Sequence, residues 1–327
     1  MNNKGKKFLT YNQQMKYLRD QKSIICSGTS DKAILCRKGY FNIINGYKTP
    51  FTCGRDSTGE HIYSRDTSIT HFHALKEFDD DLRFLLFKHL SKTEEEIRTF
   101  TAYKFDEVNL STKSAWYEVS AYSTSHDVTH IIQLISKAYS ELSRSKQEYV
   151  KHYIDNHKVI PTWVLTKFIR FATFVDFIKY GNDEIKRSLC ELYSIYSNNG
   201  HPNYKLLINS LHWIRTIRNM CAHNERVYDC KRANGRINES YIMSLPQSYQ
   251  NERDQKIIDL LIYLKYYLSS DEYCELITEI KSLLLKLQNK LHNNAYDNVR
   301  ASIGFKDINH LDLLLMSNKT ISYHKFR

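Results

Sequence analysis

Apolar residues recur at three- and four-residue steps along most of the chain, the repeat of a helix that buries one stripe of its surface. The pattern predicts a helix over 9–21 and a second from about Asp31 to Ile44, which carries Ile34, Leu35, Tyr40, Phe41 and Ile44 and stops at Asn45-Gly46. Residues 48–66 are the most irregular stretch, with Pro50, Gly54 and Gly59. Phe72, Leu75, Phe78, Leu82, Leu85 and Leu86 then mark a long helical region. Thr93 followed by Glu96 reads as a capping box that opens the next helix, on which Glu94 and Arg98 form an i,i+4 pair. Val128, Ile131, Ile132, Ile135, Ala138, Tyr139 and Leu142 predict another helix from His126 to about Ile154. Pro161 interrupts, Trp163 to Tyr180 resumes a helix ended by Gly181, and Asp183 to Tyr196 is closed by Asn198-Asn199-Gly200. Helices over Tyr204 to about His223, 256–268 and 271–291 complete the pattern. Strand-like alternation is weak and no repeat of fixed period stands out. With only ten Gly and four Pro in 327 residues, the class is all-α and bundle-like.

Charge adds a partner to this picture. The chain carries 47 Lys+Arg against 36 Asp+Glu, a formal net charge of +11, which favours a polyanion. The excess is concentrated: residues 1–55 hold eleven basic and two acidic side chains, and residues 205–236 hold seven and two. Two basic patches in a chain with 24 Tyr and 15 Phe suit phosphate contacts with aromatic stacking alongside. Nothing reaches 18 uninterrupted apolar residues and no apolar run follows the basic start, so the expectation is a cytoplasmic protein with no membrane span. Seven Cys without a CxxC pair are expected to be reduced and mostly buried. The organisation read from these signals is a basic N-terminal helical segment with an irregular linker (1–66), a helical subdomain (67–125), a main helical bundle (126–295) and a C-terminal tail (296–327).

Candidate chemistry gathers in the helix over 204–223. Arg215, Arg218, His223 and Arg226 fall within twelve residues, beside an apolar face of Leu207, Leu211, Ile214 and Ile217. Imidazole takes and returns a proton near neutral pH, and guanidinium forks two bonds onto a phosphate. Those groups are what RNA cleavage by its own 2′-hydroxyl requires, with no metal or other cofactor. At about 100° per residue, however, Arg218 and His223 lie roughly 140° apart on an ideal helix. Either the helix ends or bulges before His223, or a second copy completes the site. The plain alternative makes Arg218 and His223 a helix C-terminal cap and an exposed cation. Elsewhere, His71 and His73 lack a ligand set at metal spacing, Asp79-Asp80-Asp81 reads as a solvated negative face, and Glu94/Arg98 reads as an ion pair. Trp163 and Trp213 read as core; Tyr40, Phe41 and Tyr47 either stack on RNA or dock the N-terminal helices.

The segment R-N-M-C-A-H, Arg218 to His223, resembles the R-x(4–6)-H signature of HEPN ribonucleases, and I-R-N-M-C-A-H-N-E-R-V-Y is similar to its form in AbiD/AbiF-like abortive infection proteins of bacteria. The G-Y-x-x-P-F end of Lys38 to Phe51 and the I-P-x-W start of Ile160 to Phe174 resemble two further segments of that family. Between them, E-F-D-D-D-L-R (Glu77 to Arg83) and E-E-E-I-R (Glu94 to Arg98) follow the family order, so the resemblance covers roughly residues 10 to 290. It implies an all-helical HEPN domain, read here over 126–295; residues 67–125, helical but without a matching R-x4-H pair, are either a degenerate second bundle or an extension of the one. It also implies metal-independent endoribonuclease activity, a homodimer that brings two motifs together, and a toxin-like role in phage defence. Residue by residue, Arg218 would bind or polarise the scissile phosphate, His223 would be general base or acid, and Asn219 would orient His223 or the phosphate. Arg215, Asn224, Arg226 and Tyr228 would contact RNA, although Asn224 and Tyr228 stand where the family commonly has His and Trp. The alternative within the same fold is a non-catalytic RNA-binding or RNA-sensing module. Expected partners are RNA, a second copy and an antitoxin or regulatory RNA.

Overall fold

The computed structural model describes residues 8–157, 159–197, 199–233 and 254–316. Among these the chain is helical as the periodicity predicts, with one two-stranded hairpin as its sheet. Helix α1 (Tyr11–Lys22) opens on a capping box between Thr10 and Gln13. Helix α2 (Gly28–Lys38) is shorter than expected, because Gly39, at φ +78°, ends it. A π turn (Phe41–Asn45) and a 3-10 turn (Thr49–Phe51) follow. They lead into an antiparallel hairpin of β1 (Thr52–Arg55) and β2 (His61–Tyr63), irregular between Thr52 and Gly54. The Asp56 carboxylate closes the hairpin turn by accepting from the amides of Thr58 and Glu60 at 2.8 and 2.9 Å.

Helix α3 (Ile69–Val108) runs unbroken for 40 residues. The break expected at Thr93 does not occur: no Gly or Pro falls within the segment, and Thr93 is buried in mid-helix instead of capping a new one. Helix α4 (Val128–Ser143) starts on Asp127, whose carboxylate accepts from Thr129 N at 2.8 Å. It stops well short of Ile154, and α5 (Glu148–His152) and a second π turn (Tyr153–His157) follow. The expected 163–180 helix is also two helices, α6 (Thr162–Phe168) and α7 (Phe171–Tyr180). Glu141 makes that break, accepting from Arg170 N and Thr173 Oγ1 at 2.7 Å each and so satisfying donors at the start of α7. Helices α8 (Asp183–Leu192), α9 (Tyr204–Ala222), α10 (Ile257–Tyr267) and α11 (Ser270–Gln288) follow expectation within a few residues, although Asn198 of the expected terminator lies outside the described residues. Helices α12 (Asn293–Ile303) and α13 (His310–Met316) occupy part of the expected tail, whose residues 317–327 lie outside the description.

Two compact units share these elements. The first comprises Met1–Phe84, Arg226–Cys230 and Leu276–Asp312; its core includes Leu18, Leu35, Ile44, Phe51, Phe72 and Tyr228. The second comprises Leu85–Glu225, Lys231–Glu275 and Leu313–Arg327, with Phe174, Phe177, Leu211, Ile214, Ile217 and Leu264 in its core. Trp213 is buried there as expected, whereas Trp163 is 59% exposed and does not fill the core. The cysteines are free, but only Cys26, Cys190 and Cys221 are buried; Cys36, Cys53 and Cys274 are exposed, which corrects the expectation of mostly buried thiols. No helix among the described residues is long and apolar enough to cross a membrane.

Candidate functional site

Helix α9 begins at Asn203, whose side chain accepts from Leu206 N at 2.9 Å. Leu207, Leu211, Ile214 and Ile217, at three- and four-residue steps, are all fully buried. Each such side chain contributes about 1.5–3 kcal/mol by leaving water. Two polar contacts fix the helix further: Trp213 Nε1 donates to Lys256 O at 3.1 Å, and the Ser210 and Tyr267 hydroxyls lie 2.6 Å apart. The other side of the helix carries Arg215, Arg218 and Asn219, all half-buried.

The helix ends before the motif does. His223 is its C-cap, with backbone φ −97° and ψ 9°, and Asn224 follows in the left-handed region at φ +56°. Glu225 N donates to Met220 O at 2.9 Å and Asn224 N to Cys221 O at 3.3 Å, the two bonds of a Schellman turn. Asn tolerates this conformation better than other residues with a Cβ, which accounts for Asn224 in physical terms. Of the two ways past the 140° separation, the helix end is therefore present within one chain. His223 and Asn224 are exposed at this turn.

Arg218 has a partner that the sequence does not reveal. Its Nε lies 2.7 Å from Glu94 Oε2 on α3, and its Nη1 donates to Asn219 Oδ1 at 3.3 Å. The Glu94 contact is one of charge: neither Nε nor Oε2 has a partner at hydrogen-bonding angles. Glu94 is 7% exposed and its Oε1 accepts from Arg98 Nε and Nη2 at 2.9 and 2.7 Å. One buried carboxylate thus holds two guanidinium groups. Arg98 also donates to Thr166 O and sits 4.6 Å from the Phe174 ring centroid. Burial, opposed by Glu94, holds the Arg98 guanidinium below its ordinary value. Glu94/Arg98 is the expected i,i+4 pair, but it belongs to a cluster with Arg218.

That cluster lines a cleft of about 900 Å³ running along α3 from Ser91 to the turn at Leu110 just past the helix end. Trp163, Tyr103 and Leu110 expose 59%, 64% and 76% of themselves beside it. Asp106 and Glu107 make the end toward Leu110 acidic, and the cations that could meet an anion are Arg98, Lys167 and Arg218, with Glu94 and Glu95 beside them. His223 is not among the lining residues.

Two expected RNA contacts belong to the first unit and have structural roles there. Tyr228 is 0% exposed and stacks on Tyr47 at 6.0 Å, so it is core and cannot meet RNA. Arg226 donates from Nε to Asp229 Oδ1 at 2.7 Å and from Nη1 to Gly46 O. The solvated-face expectation for Asp79-Asp80-Asp81 fails as well. Asp79 is fully buried and accepts from Tyr47 Oη (2.8 Å), Arg83 Nη1 (3.2 Å), Val227 N (3.1 Å) and Tyr228 N (2.8 Å). Burial pushes its carboxyl up against those donors. Asp80 pairs with Lys76 and Arg83, and only Asp81 faces solvent. His71 rests between the rings of Phe51 and His292, at 6.3 and 4.6 Å.

No group of three or more His, Cys, Asp or Glu among the described residues is arranged to hold a metal ion. No curated protein and no solved structure matches the chain. The family model described as Abi-like protein matches residues 33–229, a span that takes in α9, its terminal turn and the Glu94 cluster. With well over half of its length inside that match, the chain belongs to the Abi-like protein family.

Proposed function

We propose that the protein is a metal-independent endoribonuclease of a bacterial abortive-infection system, toxin-like and cytoplasmic, with Arg218 and His223 as its catalytic pair. The observation that carries this reading is the end of α9: Arg218 is held by Glu94 at a cleft while His223 stands exposed on the Schellman turn five residues later. In the reaction, His223 takes the proton of an RNA 2′-hydroxyl, whose oxygen attacks the adjacent phosphorus. The O2′–P bond forms, the P–O5′ bond breaks, and O5′ leaves with a proton, giving a 2′,3′-cyclic phosphate. Arg218 neutralises the charge that builds on the phosphorane-like oxygens. One imidazole cannot be base and acid in the same concerted step, so the motif of a second copy supplies the other role in a homodimer. Asn219, bonded to Arg218, orients the guanidinium, and Arg215 and Asn224 contact flanking phosphates. Arg226 and Tyr228 are left out of the site because of their structural contacts.

The test is cleavage of total bacterial RNA by wild type and His223→Ala with EDTA present, the new ends assayed for cyclic phosphate. Removing the base is expected to slow cutting by about 10²–10⁴-fold. Binding without cutting by either protein would make it an RNA-sensing module instead.

A further inference from the structure

The first unit contains another cavity, of about 930 Å³, that the cleavage chemistry does not use. Its wall is built from α1, the π turn and the hairpin, and it gathers side chains from the part of the chain richest in positive charge. Gly39 ends α2, and the π turn that follows closes with Gly46 N donating to Phe41 O, so that Tyr40, Phe41 and Asn45 all line the cavity. Such turns recur at functional positions because they are costly to keep otherwise. Phe41 is 73% exposed, whereas Tyr40 and Tyr63 are half-buried.

The charges in the cavity do not cancel. Among the described residues Glu60 is its single acidic lining residue, and it is ion-paired with Lys22. Lys48 and Arg55 have no ion-pair partner among the described residues. One Arg55 Nη1 donates to Gly59 O at 2.7 Å, which fixes the guanidinium at the hairpin turn. Lys48, Arg55 and His61 line the cavity together, and burial, with the charges of Lys48 and Arg55 after it, holds the His61 imidazole below its ordinary value.

Uncompensated cations beside accessible aromatic faces fit one chemistry. An apolar ligand would leave the cations unused, and inorganic phosphate would leave the rings unused; a base with its phosphate uses both. The volume falls in the range of about 300–1,000 Å³ typical of pockets for such ligands. We infer that this cavity is a second, non-catalytic site that takes a nucleotide unit of single-stranded RNA, a base stacking on Phe41 or Tyr40 and its phosphates meeting Lys48 and Arg55. The site goes beyond the proposed cleavage and stands whether or not Arg218 and His223 cut RNA.

The experiment is fluorescence anisotropy of the full chain with a labelled 2′-O-methyl RNA 12-mer, which no 2′-hydroxyl chemistry can cut. Phe41→Ala removes an exposed ring and should weaken binding about tenfold or more, the effect of losing one base stack. Lys48→Gln/Arg55→Gln should lower the salt dependence by about 0.7 for each phosphate no longer neutralised. The matched exposed pair Lys32→Gln/Arg37→Gln on α2 should leave both quantities nearly unchanged. AMP is the second arm: full competition by AMP identifies a free nucleotide as sufficient, and failure to compete identifies the strand as the ligand. Wild-type affinity and salt dependence in both cavity variants, or no binding of the 12-mer at all, overturns the site. Loss of cutting in the catalytic variant does not bear on it.

Discussion

Replacing Asp79 tests whether one buried carboxylate organises the first unit. Its two oxygens accept from Tyr47, Arg83 and the backbone amides of Val227 and Tyr228, and no part of it is exposed. Asp79→Ala removes the acceptor from all four donors and breaks a buried ion pair. An orphaned buried donor costs about 1–3 kcal/mol, and breaking such a pair costs about 3–5 kcal/mol. Water entering the vacated space recovers part of this, and Arg83 keeps Asp80. The net loss should be about 4 kcal/mol, a large share of the roughly 5–15 kcal/mol of a typical domain. Asp79→Asn keeps one oxygen for the two amides but loses the charge facing Arg83, so it should cost about half as much. Asp81→Ala, two residues along and exposed, should cost less than about 0.5 kcal/mol. Urea unfolding with a shared m-value reads all three. An Asp79→Ala loss under about 1 kcal/mol would refute the reasoning.

Glu94→Gln keeps the shape of the carboxylate but removes the charge holding Arg218 and Arg98; steady-state RNA cleavage should show kcat reduced about tenfold or more with KM little changed. Trp163→Ala should change the unfolding free energy by less than about 1 kcal/mol, because the ring is largely exposed, while Trp213→Ala in the core should cost about 3–5 kcal/mol. Burial pushes the Lys265 ammonium down to about 8 from its ordinary 10.5. Between those values the native state sheds its proton while the unfolded state keeps it, so the unfolded state binds more protons and this group makes stability rise with pH. Buried tyrosines and thiols work in the opposite sense, so the check is the stability of wild type minus that of Lys265→Met, which should grow from pH 8 to 10.5.

Helix periodicity made the fold class and the long helices legible, because an apolar stripe at 3.6-residue spacing has one economical packing. What ended those helices was less legible. The Thr93-x-x-Glu96 pair looks like a cap in any sequence, yet without Gly or Pro nothing stops α3 there. The break between α6 and α7 depends on Glu141, some thirty residues upstream, which no local pattern shows. Strands of four and three residues are too short to produce alternation. The Arg218/His223 segment could be picked out because its residue types and spacing are local. Its partner Glu94 could not, since the contact joins two distant helices. A run of three aspartates likewise does not show that Asp79 turns inward while Asp81 turns out.

The proposed cleavage depends on a 2′-hydroxyl nucleophile activated by His223, and a single-site chimera tests it most directly. Once a cut site is mapped in a short RNA, the same oligonucleotide is made with one 2′-deoxy sugar on the 5′ side of the scissile phosphate. Wild-type protein should cut the all-RNA strand to a 2′,3′-cyclic phosphate and leave the chimera intact at that position while binding both about equally. Cutting of the chimera at the same phosphate would contradict the mechanism.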